Sequence, residues 1–171
     1  MTAPTRTTGT ERELLETMLD QARADLVDTV RGLSETDARR RLVSSLTTPI
    51  ALIKHAAYAE RMWFQRTLGR LADADCDGPL WTHGGFRVGD AETVAEVIAE
   101  FERASARARS VAAGIPLDET REHPRVGVVS LRWIYLAMTA EFARHAGHGD
   151  ILREQIGSGA GVSADSPVQL S

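Results

Sequence analysis

The sequence predicts an all-α protein, a four-helix bundle with long crossover connections. Three observations carry this. Apolar residues recur at helical spacing over four long stretches, and strand-like alternation is nearly absent. Three of the long stretches open on a Thr or Ser capping signal and the fourth on Asp90. The 171 residues suffice for one domain with a real core. Amphipathic helices of this number and length bury their stripes against one another. The single domain is expected over residues 10–157, after a flexible N-terminus (1–9) and before a polar C-terminal tail (158–171).

Thr10 and Glu13 form a T-x-x-E capping box for the first helix. Leu15, Met18, Leu19, Ala22, Leu26, Val30 and Leu33 trace its apolar stripe, and Gly32 lies near its end. A short helix follows, with Ser34 as N-cap and Asp37 at the third position. The second long helix starts with Thr48 as cap and Pro49 in the first turn, and should end before Gly69. A polar connection of about twenty residues comes next, long for a compact domain. Asp90 is expected to cap the third long helix, whose inward residues run from Val94 through Val97, Phe101 and Ala104 to Val111. Gly114 stops it. After a second long connection, Ser130 caps the last helix, expected to reach about Gln155.

Composition narrows the function. Hydrophobic residues make up 43% and charged residues 26%, with a formal charge of −4. No basic patch with interleaved aromatics speaks for nucleic acid. No apolar run is long enough for a membrane span, and the polar start lacks a signal core. A cytoplasmic protein acting on a small molecule is expected. Cys76 is the single cysteine, so no internal disulfide forms, and the aspartates around it disfavour a reactive thiolate.

The last helix holds the anomaly. Ile134, Met138, Glu141, His145, His148 and Leu152 share one stripe, apolar at its ends and polar at its middle. Burying a carboxylate and two imidazoles without partners costs about 2–7 kcal/mol for each group. The second long helix repeats the anomaly, with His55 among Leu52, Ala59, Met62 and Trp63. Facing imidazoles and carboxylates in a bundle core make a metal site. Glu141 and His145 stand four residues apart and reach one ion together; His55 completes a three-ligand face with positions left open. His148 is then a fourth ligand, a hydrogen-bond partner or a base. His83, in "WTHGGF", and Trp81 belong to the long connection and are candidates, with Trp63, for the wall of a substrate pocket. Arg144, beside His145, could attract an anion. His123 reads as solvated. Asp150 or Glu60 could orient a ligand imidazole, or be ordinary surface charges.

Two segments, "LIKHAAYAERMWFQRTL" (52–68) and "SLRWIYLAMTAEFARHAGHGDILREQIGSG" (130–159), resemble the DinB superfamily of metal-binding helical bundles. They are most similar to the branch that groups with mycothiol-dependent maleylpyruvate isomerase and related actinobacterial proteins. The resemblance covers about residues 10 to 157. It implies one divalent ion held by His55, Glu141 and His145, with a His55–His145–His148 triad as the competing assignment. Several related sequences carry histidine where this one has Ala137. The resemblance also implies a low-molecular-weight thiol such as mycothiol or bacillithiol, held as thiolate and turned on a small electrophile by S-transfer or isomerisation. A metal-dependent hydrolase and a non-catalytic metal- or small-molecule-binding stress protein are the alternatives. Zinc suits the His and Glu donors best, and nickel, iron or manganese would also bind. Pairing of two copies through helix faces is expected, although no exposed heptad pattern specifies it.

Overall fold

The computed structural model describes residues 6–80 and 85–159. Helix α1 spans Glu11–Asp28 behind the Thr10–Glu13 capping box, and turns continue to Gly32. The short α2, Glu35–Ala38, is capped by Ser34, whose hydroxyl accepts from the Asp37 amide. Helix α3, Pro49–Glu60, begins on the Thr48 cap with Pro49 in the first turn, where its missing N–H leaves no bond unmade. It runs into a π-helical stretch, Arg61–Leu68, closed by a bond from the Gly69 amide to the Phe64 carbonyl at 2.9 Å. Helix α4 is Val94–Ala112 and α5 is Leu131–Ser158, capped by Ser130.

The structure corrects the expected elements at the start of α4 and in the second connection. Helix α4 starts from Thr93 and not from Asp90: the Thr93 hydroxyl accepts from the Glu96 amide, and the Glu96 carboxylate accepts from the Thr93 amide. Thr93–Glu96 repeats the T-x-x-E device of Thr10–Glu13, and it satisfies two amides at once where Asp90 would satisfy one. The second connection also contains a β-hairpin, β1 Thr120–His123 and β2 Gly127–Ser130, paired antiparallel from Thr120 opposite Ser130 to His123 opposite Gly127. Four-residue strands are too short to print a two-residue period on the sequence.

The molecule is mostly helical with this one small sheet among the described residues. Helix α1 lies along α5, and α3 along α4, with α3 also touching α5. The core between them includes Leu19, Leu26, Ile53, Phe101, Ile134 and Phe142, all at most 1% exposed. Phe101 meets Phe142 edge to face at 5.6 Å, a favoured aromatic geometry. Each such side chain contributes about 1.5–3 kcal/mol on burial. Gly149 lets α5 approach the end of α1: a Cβ there would stand 2.6 Å from the Thr29 hydroxyl oxygen.

A buried polar network runs beside the core. Arg23 donates to both Glu60 carboxylate oxygens, at 2.7 and 2.9 Å, and the Ser105 hydroxyl adds a third bond at 3.3 Å. Arg61 bridges Glu100 at 2.7 Å and Asp77 at 2.8 Å, while Lys54 bridges Glu100 and Glu92. Glu60 and Arg61 are therefore not surface charges. Glu60 is fully buried and spent on Arg23 and Ser105, so it orients no ligand imidazole. Buried charges persist only when paired in this way.

Candidate functional site

Helix α3 presents His55 and helix α5 presents Glu141 and His145, one helical turn apart, so that all three converge. His55 Nε2 lies 3.3 Å and His145 Nε2 3.0 Å from the same Glu141 oxygen, Oε1. One ligand atom from each of the three lies within 4.8 Å of the other two. The other carboxylate oxygen, Oε2, accepts from Arg144 Nη1 at 3.1 Å. Arg144 thereby turns Oε1 toward the imidazoles.

Neighbouring rings fix the imidazoles. Phe86 stacks on His55 at 4.3 Å and 16°, and the His55 and His145 rings meet nearly perpendicular at 4.9 Å. Phe86 reaches His55 because Gly85 adopts φ 73° and lies against α3, where a Cβ would stand 2.7 Å from Tyr58 Cβ.

Electrostatics leave Glu141 and His145 in ligating form. Burial works to raise the Glu141 carboxyl, but hydrogen bonding and charge from His55 and His145 outweigh it and hold it below the usual carboxylate range. Burial and then the His55 charge push the His145 ring below its ordinary value, against the pull of Glu141. At neutral pH the site thus offers a carboxylate and a neutral His145 imidazole.

The donor set fits a divalent ion. Ligand atoms about 2.0–2.1 Å from a tetrahedral ion stand about 3.3 Å from one another, close to the 3.3 and 3.0 Å that separate the two imidazole nitrogens from Glu141 Oε1. His145 Nδ1 is a buried ring nitrogen with no hydrogen-bond partner among the described residues. It is the ring nitrogen other than the Nε2 that meets Glu141, so it lies outside the ligand set.

The other sequence-derived candidates are placed differently. His148 is exposed, its ring 5.6 Å from that of His145, because the buried face of α5 passes through Gly149 instead. Asp150 is exposed as well. Trp63 is half-buried and lines a cleft of about 600 Å3 that opens beside His55 and Glu141. Trp81 and His83 lie outside the described residues. Ala137 lines the same cleft, as do His123, Arg125 and Trp133, which the sequence did not bring forward. His123 is no solvated loop residue: it stacks on Trp63 at 4.6 Å and 19°. The hairpin carries it there, and a residue whose role depends on a hairpin invisible to periodicity leaves no sequence signal.

The sequence profile of mycothiol-S-transferases matches residues 14–158. The chain belongs to the mycothiol-S-transferase family. That family lies within the DinB-like superfamily, so the resemblance drawn from the two helical segments holds. No curated protein matches the chain. The region matched to the mycothiol-S-transferase family contains the whole His–Glu–His group and the cleft beside it. Among the described residues, no helix is long and apolar enough to cross a membrane.

Proposed function

We propose that this protein is a divalent-metal-dependent S-transferase that uses mycothiol, or a closely related thiol, on a small electrophile. The observation that carries the reading is the convergence of His55, Glu141 and His145 beside a cleft that His55 and Glu141 line, in a chain of this family. Three protein ligands with positions left open are the pattern of catalytic rather than structural sites. The chemistry that an ion supplies in such a site is stabilisation of a thiol sulfur as thiolate at neutral pH.

The protein's own residues prepare for that. One carboxylate and two imidazoles offset one of the two positive charges of a divalent ion, so the site favours a further anionic ligand. Arg144 holds Glu141 Oε2 and leaves Oε1 facing the imidazoles. Phe86 covers one face of His55, and Ala59 and Met138 give the cleft apolar wall beside it. Zinc is the preferred ion for these donors, ahead of nickel, iron and manganese. His148 stands outside the ligand set. The architecture is read as a four-helix bundle formed by α1, α3 with its π-helical extension, α4 and α5, working in the cytoplasm without nucleic acid or membrane, with homodimers as the expected assembly.

The test is turnover. Zinc-loaded protein should consume mycothiol and a small electrophile in equal amounts, and Glu141→Ala should lose the reaction. Release of product by water without thiol would replace this reading with a hydrolase. Stoichiometric metal with no turnover on any electrophile would replace it with a sequestering protein.

A further inference from the structure

The cleft beside the His–Glu–His group continues outward over a surface with a different chemistry. The half-buried Trp63 indole contacts both His123, stacked on it at 4.6 Å, and Trp133, tilted against it by 56° at 5.3 Å. Trp133 and Val126 remain 39% and 50% exposed, so an apolar shelf faces solvent. The backbone amide of Arg125 donates to His123 Nδ1 at 3.3 Å, which leaves Nε2 of the neutral ring to carry the proton. Burial and then the Arg125 charge push the His123 ring below its ordinary value, so the neutral form prevails at neutral pH.

Charge on this surface is one-sided. Arg125 and Arg144 both line the cleft, and its single carboxylate, Glu141, is engaged by Arg144 and the two imidazoles. Arg125 forms no ion pair among the described residues. Glu122, its acidic neighbour on the hairpin, lines a separate cleft with Arg66 and Arg70. An arginine with no ion pair among the described residues, beside an aromatic cluster whose Trp133 ring stays partly exposed, is complementary to a carboxylate carried on a planar group.

We propose that the outer cleft binds the electrophile through a planar conjugated carboxylate. Its flat part packs against the partly exposed Trp133 ring of the Trp63–His123–Trp133 cluster, its carboxylate is held by Arg125, and its reactive end is directed inward toward His55 and Glu141. The assignment of this ligand as the electrophile rests on the thiol-transfer reading; the binding site itself does not.

Titration calorimetry on the full chain tests it with three probes: cinnamate, its uncharged counterpart cinnamyl alcohol, and the non-planar anion cyclohexanecarboxylate. Cinnamate should bind once per chain, with each of the other two weaker by roughly tenfold. Arg125→Gln, at an exposed position, should weaken cinnamate by roughly tenfold and leave the alcohol unchanged, as expected for one charge-assisted contact. Equal affinity for the three probes, no binding of cinnamate, or cinnamate affinity unchanged in Arg125→Gln would overturn the proposal. Because no turnover is read, a cinnamate site in a protein that transfers no thiol would contradict the transferase reading alone. Thiol transfer without a cinnamate site would contradict this one alone.

Discussion

At the residue scale, the candidate site was legible because its residues break a pattern. Glu141, His145 and His55 are polar where the helical stripe calls for apolar, and burial makes such exceptions costly enough to need a reason. His148 shares the sequence anomaly but not the placement, since only the fold shows that Gly149 takes the buried position next to it. His148→Ala should therefore keep its metal and lose less than about tenfold in affinity, read by competition with a chelator. A loss equal to that of Glu141→Gln would favour the His55–His145–His148 set instead. His123 and Arg125 were illegible because their role comes from where the hairpin lies and not from their spacing. Glu60 was misread for a related reason: its partner Arg23 is remote in sequence. Glu60→Gln removes the buried, two-pronged partner of the 6%-exposed Arg23 and leaves it only the exposed Asp20. Breaking such a pair should cost about 3–5 kcal/mol, measured as a shift in the urea midpoint.

At the element scale, helix starts read well where side chain and backbone form a local, reciprocal bond. Thr10, Ser34, Thr48 and Ser130 all cap as their sequences imply. Asp90 fails because a better capping box lies three residues on, at Thr93 and Glu96. Thr93→Ala should accordingly cost about 1 kcal/mol, and Asp90→Ala close to nothing, in the same denaturation assay. The π-helical turn at Arg61–Leu68 carries no local signal, since its sequence continues α3 as a good helix. It coincides with inward-facing Arg61, Phe64 and Gln65, so tertiary packing decides it. Close approach is decided the same way at Gly149. Gly149→Ala presses a methyl group into the Thr29 side chain and should destabilise the α1–α5 packing by about 1–3 kcal/mol.

At the scale of the whole molecule, ion pairs tie elements distant in the chain. Asp20 joins Arg23 and Arg109, linking α1 to α4, and Glu92 joins Lys54, linking the long connection to α3. Burial works to raise both carboxyls, but hydrogen bonds from Arg109 and Arg23, and from Lys54, hold them below their ordinary values. A depressed folded-state value means that the stabilisation is present above the unfolded value, about 4, and fades as pH falls through the folded value. The melting temperature should hold from neutral pH to about 5 and drop below 4, and Asp20→Asn should flatten that drop. The packing of α3 against α5 builds the site, so the ion content of the intact protein tests the central claim most directly. Elemental analysis of untagged protein should find about one divalent ion per chain, lost in His55→Ala and in His145→Ala while the helical circular dichroism is kept. An ion retained in both variants, or none in the parent after dialysis against zinc, nickel and manganese, would contradict the account.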